Sequence, residues 1–201
     1  MALGDSYITA YELKEYARIA DSSDDDQVTS VVNAVSRTIE RYCGRQFNDA
    51  GSASARVFQA SRADRVRVDD FSTTTGLVVK SDTALDGTYG TTIAASSYDV
   101  TPFNGVVEGQ PGNPYRQIVL SADSFIVSNR PTVEITAQWG WAAVPADVKQ
   151  AALIQAARIF GRRESAHGVL GFGDYVVRVS NRLDTDVGGF LDRYRISVRV
   201  A

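Results

Sequence analysis

The sequence predicts an α+β fold: a small helical bundle of three to four helices with an antiparallel β-subdomain inserted between the second and third main helices. Two observations carry this. Apolar residues recur at 3–4 spacing before about residue 50 and after residue 144, and at alternate positions in between. Gly, Pro, Ser, Thr and Asp cut the middle stretch into short runs, as strands joined by turns require. The expected boundaries are 1–50 for the N-terminal helices of the core and 51–143 for the inserted β-subdomain. Residues 144–201 then supply C-terminal helices, a loop and a terminal strand that complete the core and a docking surface.

The first helix opens on a capping box, Thr9-Ala-Tyr-Glu12. The Thr9 hydroxyl takes one free N–H of the first turn and Glu12 reaches back to another, with Ile8 and Leu13 placed as a hydrophobic staple. This helix is expected to end near Ala17. A polar link, Ser22 to Asp26, leads into a second helix whose positive end its acids favour. Val28, Val31, Val32, Val35, Ile39, Tyr42 and Cys43 form one apolar stripe, and Gly44 is a natural stop.

The β-subdomain is expected from about Ala53 to Trp141. Its clearest runs begin at Arg65, Leu77, Tyr98, Gln117 and Val133. Asp86-Gly87 is a hairpin signal. Phe103 to Pro114, rich in turn formers, reads as a long loop.

The third main helix begins at Pro145. Its apolar residues cover much of its circumference, so it is expected to be buried on more than one side, with its alanines allowing close neighbours. A glycine-rich loop (168–174), a short strand around Arg178 and a small helix follow. In that helix Val187, Phe190, Leu191 and Tyr194 make a stripe, yet Gly188-Gly189 lies inside it at about 1 kcal/mol per glycine relative to alanine. A helix this short needs something to dock on. The tail Ile196-Ser-Val-Arg-Val200 alternates; it either returns to the β-subdomain or adds to a partner's sheet.

Composition narrows the function classes. The 201 residues are 44% hydrophobic and 22% charged, the balance of a globular chain. The single cysteine, Cys43, rules out an internal disulfide and any multi-cysteine zinc site. No segment approaches the roughly 18 apolar residues of a membrane span, and no basic, apolar signal region suggests secretion. A reducing cytoplasm is the simplest place of synthesis. The net charge of -3 argues against strong non-specific nucleic-acid binding. Residues 145–201 differ, with 9 bases against 6 acids. Only Lys14, Lys80 and Lys149 among the bases are lysines, and arginine suits bidentate interface contacts; a GC-rich genome gives the same bias.

Candidates for chemistry have plainer explanations. His167 stands in a loop after a helix end, and Ser165 beside it lacks a nucleophile-elbow pattern. Gly168, Gly171 and Gly173 follow a helix rather than opening one, so they are not a phosphate loop. They read as a mobile loop exposing Phe172 to a partner, or as a simple turn. Asp24 to Asp26 serve a helix dipole, and Asp184 and Asp186 suit a helix start. Cys43 ends an apolar stripe and reads as packing. Trp139 and Trp141 fill a seam between sheet and helix or offer stacking platforms. No catalytic residue, cofactor or metal is expected.

The ordered set of segments resembles the head–tail connector (adaptor) proteins of long-tailed bacteriophages. It comprises Tyr7-Ile-Thr-Ala-Tyr-Glu-Leu-Lys, Ile39 to Phe47, Tyr98-Asp-Val, Ile135 to Trp141, Val144 to Leu153, Arg158 to Glu164, Gly171 to Asp174 and Asp192 to Arg195. The resemblance implies a virion protein of the neck, with a helical core carrying a β insertion. It implies a ring, usually of twelve copies, beneath the portal protein, passing double-stranded DNA without sequence-specific binding. A tail-side stopper or tail-terminator protein would bind below, and no membrane is involved. An acidic chain suits moving DNA, because a strongly basic channel would hold the phosphates.

On this reading loops of the β-subdomain contact neighbouring copies or the tail-side protein, and the main partner and oligomer surfaces lie in 145–201. They comprise Arg158, Arg162, Arg163, Gly171, Phe172, Gly173, Asp174, Arg178, Phe190, Leu191, Tyr194, Ile196, Val198 and Val200. Removing 184–201 is expected to abolish docking and leave the fold largely intact. Two other readings compete. A carbohydrate- or surface-binding module needs Trp139 or Trp141 exposed. A hydrolase needs two carboxylates converging in a cleft with perturbed pKa values.

Overall fold

A computed structural model of the chain describes residues 2–20, 22–162, 169–172, 175–178 and 184–196. The chain is α+β, with four α-helices and a curled antiparallel sheet among the described residues. It forms two compact units. One is helical, built from Gly4–Phe47 and the chain after Ala143. The other is Asn48–Ala143 with the residues preceding Gly4.

In the helical unit, α1 spans Ala10–Ala17, α2 Asp25–Cys43, α3 Ala146–Gly161 and α4 Thr185–Leu191. The capping box at α1 is complete. The Thr9 hydroxyl accepts the Glu12 N–H at 3.1 Å and the Glu12 carboxylate accepts the Thr9 N–H at 2.6 Å. Ile8 and Leu13 are both buried, as a staple requires. Along α2, Val28, Val32, Val35, Ile39 and Cys43 are buried on one face, while Val31 is half-buried. Gly44 ends the helix in the left-handed region at φ 67°, donating its N–H to Glu40 at 2.8 Å. The central helix is α3, packed against α1, α2 and α4. Val148, Ala151, Ala152, Ala156 and Phe160 are buried along it.

Polar groups inside this unit are satisfied in a chain of contacts. The Ser36 hydroxyl donates to the Val32 carbonyl at 2.9 Å and accepts the Tyr7 N–H at 3.0 Å. The Tyr7 hydroxyl donates to Glu40 at 2.9 Å and accepts the Phe47 N–H at 3.2 Å. Burial holds this phenol far above its ordinary range. The Tyr7 ring meets Phe47 edge-on at 5.7 Å.

In the second unit, seven strands form one curled sheet: β1 (Asp49–Phe58), β2 (Arg65–Phe71), β3 (Val78–Ser81), β4 (Thr91–Ile93), β5 (Tyr98–Thr101), β6 (Tyr115–Leu120) and β7 (Val133–Gly140). Strand β7 is the hub. It pairs with β1 from Phe58↔Val133 to Asp49↔Gly140, with β3 through Val78↔Thr136 to Ser81↔Val133, and with β2 at Phe71↔Trp139. Beyond these, β4 pairs β3, β6 pairs β2 and β5 pairs β6. The core is the inward-facing set Val66, Phe71, Val79, Ile118, Val133, Ile135, Ala137 and Trp139. On β7 the buried residues alternate with half-buried ones, the period-two signature of a strand.

The sheet departs from sequence expectation in three places. Strand β1 begins at Asp49, and its Ala/Gly/Ser-rich run carries little β propensity of its own; pairing with β7 makes it a strand. Strand β4 is too short to show a period. Asp86-Gly87 lies in a nine-residue connection, 82–90, rather than a two-residue hairpin, though it does link the antiparallel pair β3–β4. Buried Asp82 organises that connection by accepting the N–H groups of Asp86 and Gly87 at 3.3 and 2.8 Å.

Candidate interaction surfaces

The C-terminal segment holds most of the residues expected at interfaces, and several face inward instead. Val187 and Leu191 are fully buried and Tyr194 is 5% exposed, whereas Phe190 is half-buried. The Tyr194 ring meets Phe47 edge-on at 5.4 Å, and its hydroxyl donates to Asp147 at 3.2 Å. The Tyr42 hydroxyl donates to Asp192 at 2.6 Å, and the Arg195 guanidinium lies 4.8 Å from the Tyr42 ring centroid. Leu191 and Tyr194 therefore complete this chain's own core; they are not a free docking stripe. The short helix does dock, as its weak propensity demands, but within its own unit. The expectation that 184–201 can be removed without harm to the fold is corrected by the same burial.

Arg158 is ion-paired to Asp184, the N-cap of α4, whose carboxylate also accepts the Asp186 N–H at 3.1 Å. Its guanidinium thus holds α3 to α4. Arg162 is half-buried just after α3. Ile196 is half-buried and donates its N–H to the Cys43 carbonyl at 2.9 Å. Arg163, Gly173, Asp174, Val198 and Val200 lie outside the described residues, as do Ser165, His167 and Gly168.

Within the region read as a glycine-rich loop followed by one strand, the described residues form an antiparallel strand pair. Strand β8 (Val169–Phe172) pairs with β9 (Tyr175–Arg178) from Val169↔Arg178 to Phe172↔Tyr175. Gly171, Phe172 and Arg178 stand in this ladder. Glycine obscured the period-two pattern; Val169-Leu170 and Tyr175-Val176-Val177 were its visible remnant.

Both tryptophans are buried, at 1% and 4% exposure, so neither is a stacking platform. Trp139 sits in the β core and its indole N–H donates to the Ser54 carbonyl at 2.8 Å. The Arg56 guanidinium covers it at 4.7 Å from the ring centroid and reaches Asp69 at 2.6 Å. The Trp141 indole N–H donates to Asp70 at 3.2 Å. Cys43 is fully buried, and desolvation pushes its thiol up to about 11, so it is an inert packing group at neutral pH. Asp64, between Arg62 and Arg65, is held down at about 2, chiefly by its hydrogen bond from Arg65. This is an exposed ion cluster on a turn. Among the described residues no group of three or more His, Cys, Asp or Glu is placed to hold a metal.

Two further surfaces stand out, the first unanticipated and the second among the β-subdomain loops expected at contacts. One is an open groove on α1 and the start of α2, about 680 Å³ in volume, walled by Tyr11 at 68% exposure. The other is the β5–β6 connection, where Phe103 is 66% and Val106 42% exposed. An aromatic residue among turn formers was the available signal for the second.

A family model described as head completion protein matches residues 6–108. The chain belongs to the head completion protein family, a family of structural rather than catalytic proteins. No curated protein sequence matches it. Among solved structures it is similar to a chain in the neck of an empty gene transfer agent particle computed with C6 symmetry. That match has a TM-score of 0.58 and 20% identity and covers 100% of this chain and 94% of that one. A chain in the virion of the native gene transfer agent particle matches at 0.55 and 20%, again covering 100% and 94%. One in the native neck computed with C12 symmetry matches at 0.52 and 19%, covering 98% and 96%. At this identity the likeness is one of fold.

Proposed function

We propose that this protein is a head–tail connector of the virion neck. It forms a ring of twelve copies beneath the portal protein, joins the DNA-filled head to the tail, and lets double-stranded DNA pass. Its partners on this reading are the portal protein, neighbouring copies, and a tail-side stopper or tail-terminator protein. The single observation that carries the proposal is the head completion family match across residues 6–108. The full-length likeness to chains of gene transfer agent necks, two of them computed with C6 and C12 symmetry, supports the ring. So does the acidic balance of the chain, which leaves passing phosphates weakly held. Disrupting the gene tests this in vivo: electron micrographs should then show filled heads and separate tails. Complete, infectious particles would overturn it.

A further inference from the structure

We propose that the β5–β6 loop of one copy seats Phe103 and Val106 in the α1–α2 groove of the next copy. This contact would close the ring, and it rests on the ring reading above. A ring of identical chains joined head to tail needs two different, complementary patches on each copy. The loop and the groove are such a pair.

The loop is built to present apolar side chains rather than hide them. Asn104 and Glu108 both hold left-handed backbone, at φ 56° and 51°, although neither is glycine. Strain of this kind persists only where surrounding structure fixes it. Here Asn113 donates its N–H to the Gly105 carbonyl at 3.0 Å and its side-chain amide to the Gln110 carbonyl at 2.8 Å. Val107 and Gln110 bridge each other's backbones. A methyl on Gly105 would come within 2.9 Å of the Asn113 oxygen, so the turn is closed tightly. The outcome is a preorganised knob whose Phe103 ring is two-thirds exposed, and preorganisation lowers the cost of docking.

The groove offers the knob apolar surface, with the acids Glu15 and Asp25 and the cations Lys14 and Arg18 around it. Ala10, Ile19, Ala20 and the Tyr11 ring supply apolar surface. Of the groove's cations, Lys14 is paired with Asp25 at 2.5 Å. Arg18 is exposed and makes no ion pair among the described residues. The loop from Phe103 to Pro114 holds one acid, Glu108, and no base. An apolar insertion flanked by a Glu108–Arg18 pair gives Arg18 a partner, while the Glu15 carboxylate is engaged by the Tyr11 hydroxyl at 2.8 Å; the charges set register and partner choice.

The test uses intact chains assembled on the portal protein. Phe103→Cys and Ala20→Cys variants are made separately, mixed, assembled and oxidised. Native Cys43 is buried and does not compete. A covalent dimer is expected from the mixture and from neither variant alone, with a ladder of higher species when one chain carries both cysteines. Phe103→Ser, at an exposed position, should leave the melting temperature unchanged and reduce ring assembly. Arg18→Glu and Glu108→Arg should each weaken assembly about fivefold or more, with recovery in the double variant. A ring of wild-type chains with no cross-link and with Phe103→Ser assembling normally would overturn this contact while leaving the ring intact. Absence of any wild-type ring on the portal would overturn the ring reading, and this contact with it.

Discussion

A methyl group added to Gly140, the last residue of β7, would collide with the carbonyl oxygen of Asn48, which enters β1. That carbonyl accepts the Trp141 N–H at 3.1 Å, and Asp49 stands opposite Gly140 in the ladder. The two chain crossings of the β unit are thus fixed against each other by a backbone approach that only glycine permits, at φ 98°.

Gly140→Ala is expected to cost about 2–4 kcal/mol, combining overpacking against backbone with left-handed strain. Gly51 is the internal comparison, at φ 75° with nothing within 4 Å of an added methyl. Gly51→Ala should cost only the strain, about 1 kcal/mol. Urea unfolding of both variants checks the difference; equal losses would contradict the account of Gly140.

Leu191→Ala should destabilise the helical unit by about 2–5 kcal/mol, since Leu191 is fully buried. Removing 184–201 should lower the unfolding midpoint further. Circular dichroism melts check this, and an unchanged midpoint on truncation would restore the tail to a purely docking role.

Gly189→Ala should stabilise by about 0.5–1 kcal/mol, because this position lies inside α4, is exposed, and has open space for a methyl. A rise in melting temperature is the expected result. A fall would show that the surrounding chain needs glycine there.

Alkaline pH should loosen the helical unit. Cys43 is raised from 9.0 to about 11, and Tyr7 is raised well above 10.0, both mainly by desolvation. Above pH 9 for Cys43, and above pH 10 for Tyr7, the unfolded state gives up its proton while the folded state keeps it. Stability therefore falls as pH rises, by up to about 1.4 kcal/mol per pH unit for each group. The contribution is complete below pH 9, and the Cys43 share is lost by about pH 11. Unfolding midpoints between pH 8 and 11 measure it, and Cys43→Ala should flatten the first part of the decline.

Much of the fold was legible because strong local signals and tertiary packing agree. Thr9 and Glu12 made their capping box, the α2 stripe packed where its spacing pointed, and β7 alternated. What was missed depended on partners distant in sequence. The small residues of β1 become a strand only beside β7, and the glycine of β8 masked its pairing with β9. The surfaces were harder still. Leu191 and Tyr194 looked available because a sequence does not show that Leu191 is buried beside Cys43 or that Phe47 and Asp147 meet Tyr194. Phe103 looked like ordinary loop because exposure depends on the backbone around it.

The most direct measurement is the mass and negative-stain image of this protein mixed with the portal protein of the same genome, beside each alone. The account predicts a twelve-copy ring added to one end of the portal. A mixture in which the portal gains no mass and this chain remains a free monomer would contradict it.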